Sequence, residues 1–285
     1  MTDKIKHAII DYKIKVKKLV LKTALWTPLN SHRFTFMLSV LTLWYAFRCG
    51  QKIPGILRYK KAIHNSENNI AFVFNCFLSH NYDRIFPHLL AENPEKYLQY
   101  VSIEGKEYVR ELAGRNTGVI LISGHFGPMF RTLLFKEAFG IGVSSFSNAY
   151  LKDKVSNSLA KLHKVNSSYT YYAVGEEKQF QEGLLRKEWI NFLNDLPLKK
   201  RESNNQTLFG KKIYLSELPF KLSLKYNIPV LFVGTTRIKR QYYVTIMPIN
   251  GFHTQQEGLG MYLALVEKLL CRDPYASIYI AETFF

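Results

Sequence analysis

Apolar and polar positions alternate with changing period along this chain, and the changes mark its elements. Residues 34–47, FTFMLSVLTLWYAF, are fourteen uncharged, mostly apolar positions. Residues 66–92 carry Phe72, Phe74, Phe77 and Leu78 and predict a helix. Residues 101–103 predict a short strand and 106–113 a helix. Residues 119–122 form a continuous apolar run bounded by glycines, the pattern of a core strand. From Pro128 a helix is predicted to residue 139, with Pro128 in its first turn and Gly140 ending it. Further helices are predicted over 150–164, 176–188 and 257–271, and strands over 169–174, 189–194, 228–235 and 242–248. Between them, 196–209 reads as a polar, basic loop, and Ser216 as the cap of a helix running to Tyr226. Strands alternating with helices predict an α/β fold: a mixed, mostly parallel sheet with helices on both faces. No clear linker or internal repeat appears. Two regions are expected: an amino-terminal helical, membrane-associating segment over 1–65 and an α/β core over 66–285.

Strands joined in this way bring their carboxyl ends to one edge, where open α/β sheets bind ligands. His125, Asp195 and Arg237 each follow such a strand. His125 lies in Ser123-Gly124-His125-Phe126-Gly127-Pro128, where two glycines permit a sharp turn and close approach of a ligand. It is the first candidate for catalysis, as a general base. The competing reading is a turn histidine that only bonds backbone. Asp195 is the leading candidate to orient the imidazole; a turn or cap aspartate before Pro197 is the alternative. Glu217 is the runner-up acid. Arg131, Arg237, Lys239 and Arg240 are candidates for binding phosphate on a substrate. Lys199, Lys200 and Arg201 form a loop cluster suited to an acidic carrier protein. For any one of these cations a solvated surface charge is the competing reading.

Charge sharpens the choice of partner. The 285 residues carry a formal net charge of +17, so anionic partners are expected. The basic amphipathic stretch 4–22 precedes the apolar run 34–47, which is shorter than the roughly 20 residues of a spanning helix. Together they suggest an interfacial or re-entrant helix at an anionic membrane surface; a buried core helix is the alternative. The three cysteines have no zinc or disulfide spacing, the eight histidines are scattered, and no metal site is expected. Neither GxxxxGK[ST] nor GxGxxG after a strand occurs, which argues against a nucleotide site. No helix-turn-helix, zinc or stacking signature accompanies the charge, so nucleic acid is not expected as a partner.

Residues 101–127, VSIEGKEYVRELAGRNTGVILISGHFG, together with Asn194-Asp195, Leu208-Phe209-Gly210, the 219–226 helix and NIPVLFVGTTR, resemble the lysophospholipid acyltransferase superfamily. The likeness is greatest to its lipid A late acyltransferase branch and covers about residues 55–250. It implies a glycerol-3-phosphate acyltransferase-like fold and a thioester donor, the phosphopantetheine arm of an acyl or peptidyl carrier protein or CoA, with no tightly bound cofactor. It also implies a protein on the cytoplasmic face of the inner membrane, peripheral or monotopic, with a soluble cytoplasmic state as the alternative. The family's histidine is followed, after four residues, by an acid that supports the imidazolium. Here Phe130 stands in that place. Three readings follow: a transferase of acyl or aminoacyl groups to a lipid or amine, for which a neutral amine acceptor demands less of the base; an inactive relative that binds lipid or carrier protein as a scaffold; and a basic nucleic-acid-binding protein.

Overall fold

The computed structural model describes residues 32–128, 131–147, 171–173, 176–195 and 206–285. The chain enters through α1 (His32–Arg48), a 3-10 turn (Gly50–Lys52), α2 (Ile53–Ala62), α3 (Asn69–Glu92) and α4 (Pro94–Leu98). Then follow β1 (Val101–Glu104), α5 (Lys106–Gly114), β2 (Val119–Ser123), α6 (Arg131–Phe139), β3 (Val143–Ser147), β4 (Tyr171–Ala173), α7 (Glu177–Leu185) and β5 (Trp189–Leu193). The hairpin β6 (Gln206–Leu208)–β7 (Lys211–Ile213) leads to α8 (Leu218–Tyr226), β8 (Val230–Ile238), β9 (Gln241–Ile249), α9 (Gln255–Arg272) and α10 (Ile278–Phe284).

Seven strands form one sheet in the order β1-β9-β8-β2-β5-β3-β4. Strands β8, β2, β5, β3 and β4 run parallel, while β9 returns antiparallel to β8 and carries β1 parallel to itself. The α/β, mostly parallel architecture is therefore as expected. Strand β2 lies at the centre, and every one of its residues is buried. Ile120 and Ile122 enter one core with Phe126, Phe232 and Tyr262; Val119 and Leu121 enter the other with Leu133, Phe135 and Val233. A strand covered on both faces needs apolar side chains at both parities, which is why it reads as a continuous run.

Local signals account for most boundaries. Helix α6 ends where Gly140 turns left-handed (φ +70°), with Gly140 N donating to Lys136 O and Ile141 N to Phe135 O. Helix α9 starts at a capping box between Thr254 and Glu257. Three expectations need correction. The described helix α6 begins at Arg131, and Pro128 lies outside it. Strand β3 occupies a stretch with no predicted element, because three serines interrupt its apolar pattern, and the β6–β7 hairpin begins inside the predicted loop 196–209, its three-residue strands too short to show alternation. Ser216 does accept from Leu218 N at 3.2 Å, but the residue immediately before the helix is Glu217. The predicted helix 150–164, the basic stretch 4–22, Phe130 and the cluster Lys199, Lys200 and Arg201 lie outside the described residues.

The apolar run 34–47 forms α1, which packs on α3: Leu38 and Thr42 are fully buried, and Asn81 donates to Thr42 Oγ1 at 3.1 Å. Ile56 and Tyr59 of α2 are also fully buried, in the same core as β2. The helices before residue 65 thus share the cores of the α/β body. No helix among the described residues is long and apolar enough to cross a membrane.

Candidate active site

Strand β2 pairs with β5 in parallel register, Val119 opposite Trp189 through Ser123 opposite Leu193. Continued by two residues, that register sets His125 beside Asp195. The side chains meet there: His125 Nδ1 lies 2.8 Å from Asp195 Oδ1, and His125 N donates to Asp195 Oδ2. The carboxylate thus accepts from both the ring and the backbone of one residue. A carboxylate partner holds the proton on Nδ1, which leaves Nε2 as the basic nitrogen. The Asp195 side chain is 3% exposed and that of His125 is 23% exposed. The acid is enclosed and the base retains access to solvent.

The carbonyls of the His125 loop are held one by one. Ser123 O accepts from Asn194 N (2.8 Å) and from the Tyr262 hydroxyl (3.1 Å). Gly124 O and Phe126 O accept from Arg131 Nη2 at 2.7 and 2.9 Å. His125 O accepts from Ser277 Oγ at 2.9 Å, and Gly127 N donates to Ala276 O at 2.8 Å. Four successive carbonyls are therefore anchored from β5, α6, α9 and the segment before α10, and such support preorganises a site. The glycines are required by space and backbone angle. A Cβ on Gly124 would sit 2.5 Å from the Phe126 ring and 2.9 Å from Asp195 Oδ2. Gly127 has φ +68°, and a Cβ there would lie 2.9 Å from Thr235 O.

Tyr279 and Ser277 have no sequence signal that singles them out, and Asn194 enters only through the resemblance. Tyr279, in the first turn of α10, places its ring 4.4 Å from the His125 ring, tilted by 36°. Burial, and then the charge of Asp195, push its phenol up from the ordinary tyrosine range. Ser277 both caps α10, accepting from Ile280 N at 2.9 Å, and holds the His125 carbonyl. A serine before an apolar stretch is the only local hint of that helix. Asn194, next to the acid, is 2% exposed, and neither end of its amide has a hydrogen-bond partner among the described residues.

Arg131 must be reassigned. It was expected to bind substrate phosphate, but it is 3% exposed, stacks 5.5 Å from the Phe126 ring and donates to the loop carbonyls. Burial lowers its pKa to about 10, so it remains charged at neutral pH. Its role is to staple the loop. Arg237, Lys239 and Arg240 lie at the tip of the β8–β9 hairpin, on the sheet edge that carries His125. Arg237 packs 4.4 Å over the Tyr82 ring, its N–H donates to Asp273 Oδ2 at 2.7 Å, and Nη1 donates to Lys239 O. Lys239 is exposed at the turn. Glu217, the runner-up acid, stands immediately before α8 and has no hydrogen bond to His125 among the described residues.

Under Arg237 lies Asp83 of α3, which accepts from the Tyr242 hydroxyl at 3.2 Å. Burial pushes the Asp83 carboxyl up to about 7 against the opposing charge of Arg237. The folded state therefore holds a proton between about pH 4 and pH 7 that the unfolded chain releases. The Asp83 contribution to stability is greatest below about pH 4, falls as pH rises from about 4 to about 7, and levels off above that. Asp83→Asn should accordingly gain stability relative to the parent by about 3 kcal/mol between pH 5 and pH 8. Urea melts of both proteins at the two pH values measure this, and a difference independent of pH would refute it.

A groove of about 620 Å³ lies at the opposite edge of the sheet, between α5 and α8, lined by Tyr108, Arg115, Asn227 and Phe252 among others. None of His125, Asp195 and Arg237 lines it. No group of three potential metal ligands occurs among the described residues. No protein-family model matches this chain, and no curated protein aligns with it significantly.

Proposed function

We propose that this chain is a transferase that moves an acyl or aminoacyl group from a thioester donor to a lipid or amine acceptor at a membrane surface. The observation that carries the reading is the pair formed by His125 and Asp195 at the carboxyl ends of two neighbouring parallel strands. Nε2 takes the proton of the acceptor O–H or N–H as that atom's lone pair attacks the thioester carbonyl. Asp195 stabilises the imidazolium. The tetrahedral intermediate collapses, the C–S bond breaks, and the departing thiolate receives the proton from Nε2.

The resemblance to the lipid A late acyltransferase branch supports this assignment. The departure at Phe130 does not weaken it, because Asp195 supplies the carboxylate from the next strand. The donor thioester is carried on phosphopantetheine or CoA. Arg237, Lys239 and Arg240 are assigned to phosphate on a substrate, and Lys199, Lys200 and Arg201 to an acidic acyl or peptidyl carrier protein.

The test is to incubate the protein with loaded carrier protein, or with acyl-CoA, and candidate lipids or amines, and to follow products by mass spectrometry. Transfer that needs both His125 and the thioester supports the reading. A panel that yields no transfer, while carrier or lipid still binds, favours a scaffold and removes the enzyme.

A further inference from the structure

A proton taken up by His125 puts a positive charge on a ring whose side chain keeps only 23% of its exposure. A charge that develops in an enclosed place is stabilised best by groups already in position. At the ring edge, Asp195 Oδ1 meets Nδ1 at 2.8 Å. Over one ring face stands Tyr279, its centroid 4.4 Å away and its plane tilted by 36°. That tilt is nearer to stacked than to edge-on, so the phenol turns its π face to the imidazole. An aromatic face is the negative part of the ring quadrupole and attracts a cation within roughly 6 Å of the centroid. The guanidinium of arginine, flat and delocalised, stacks on aromatic faces in this way, and an imidazolium has the same character. The attraction arises only when the imidazole is charged, so it favours the reacting state over the ground state.

Tyr279 is held in place from both ends of its helix. At the start of α10, Ser277 Oγ donates to His125 O and accepts from Ile280 N, and Ala276 O accepts from Gly127 N. Ile278, Ile280, Ala281 and Phe284 are buried in the core that also takes Ile120 and Ile122 of β2. At the far end, Glu282 pairs with Lys52 at 2.6 Å, and Arg58 Nε donates to Phe285 O. The Tyr279 hydroxyl is hydrogen-bonded to Thr283, one turn along α10. The ring cannot leave the imidazole without breaking contacts on three sides. Support of this kind preorganises a group before reaction.

We infer that Tyr279 is a positioning residue whose ring face stabilises the His125 imidazolium during acyl transfer. The inference rests on the transferase reading, because that reading supplies the charged step. Nε2 takes the acceptor proton as the acceptor attacks the thioester carbonyl, and the ring stays cationic until it returns that proton to the departing thiolate. Tyr279 neither gives nor takes a proton. The ring is required and the hydroxyl is not.

Two substitutions separate ring from hydroxyl. Tyr279→Leu removes the π face and keeps an apolar wall, whereas Tyr279→Phe keeps the face. In Tyr279→Leu, kcat should fall roughly 3- to 30-fold with KM nearly unchanged, and Tyr279→Phe should keep kcat within about twofold. Single-turnover rates should fall by the same factor, which assigns the loss to the chemical step. The ring C–H resonances of His125, identified by their loss in His125→Ala, should be shielded by the phenol ring current in the parent and in Tyr279→Phe and deshielded in Tyr279→Leu. An equal kcat loss in both variants makes the hydroxyl or the packing of α10 responsible and overturns the inference. A rise in KM at unchanged kcat makes Tyr279 a wall for substrate and overturns it too, as does a parent whose His125 protons are unshielded. A parent that transfers nothing to any acceptor removes the transferase reading and this role with it. A parent that turns over no faster than Tyr279→Leu removes the role of Tyr279 alone.

Discussion

His125→Ala is expected to lower turnover by roughly 10²- to 10⁴-fold, the range in which a positioned general base contributes. The imidazole presents Nε2 as its basic nitrogen at this edge. Nδ1 is committed to Asp195, one ring face is against Tyr279, and the side chain keeps 23% of its exposure. The fold should survive the change. The loop's carbonyls are held by Arg131, Ser277, Asn194 and Tyr262, none of which depends on the imidazole. Asp195 would lose one of its two donors, a cost of about 1–3 kcal/mol. Steady-state rates together with a thermal melt measure both halves. A variant that melts cooperatively and turns over at the parent rate removes His125 from the mechanism.

Asp195→Asn carries the second large effect and isolates orientation from shape. The amide fills the same space but presents an N–H where the carboxylate presented an acceptor. Its oxygen can accept from the His125 backbone N–H, which leaves the amide nitrogen toward Nδ1. That arrangement favours the tautomer with the proton on Nε2, and the base is then blocked. The expected loss is roughly 10²- to 10⁴-fold in kcat, with KM nearly unchanged, because orientation matters at proton transfer and not at binding. Asp195→Ala is the less informative variant, since it also strips the buried backbone N–H of its partner. If the asparagine protein keeps the parent kcat, Asp195 serves only to pin the loop, and the base works without an acid.

The position taken by Phe130 shows why a local motif is an incomplete description of such a site. An acid five residues along the chain and an acid one strand away can reach the same nitrogen. The second route depends on β2 and β5 being neighbours in register, with turns that overshoot their strands equally. Asp195 is 70 residues from His125 in sequence, so no spacing rule finds it. Its place at the end of an apolar run is what made it a candidate at all.

Much of the architecture was legible in short windows. The apolar run of β2, the glycines around His125, the glycine ending α6 and the alternation of strands with helices report local sterics and burial, which neighbouring residues determine. They were sufficient for the α/β class and for placing His125 at a strand's carboxyl end. Residue type alone did not reveal direction or burial. Arg131 looks like a phosphate ligand in the sequence, and folding turns it inward onto two carbonyls of the His125 loop. The run 34–47 suits either a core helix or an interfacial one, and α1 has one face in the protein and one outside. Tyr279 reaches His125 because the chain after α9 folds back across the strand ends, a long-range event that leaves no periodicity to read. Propensity and pattern act over a few residues, and so they determine elements. Strand order, register and the packing of α10 on the sheet edge arise from contacts between distant segments, and only these brought acid, base and aromatic ring together.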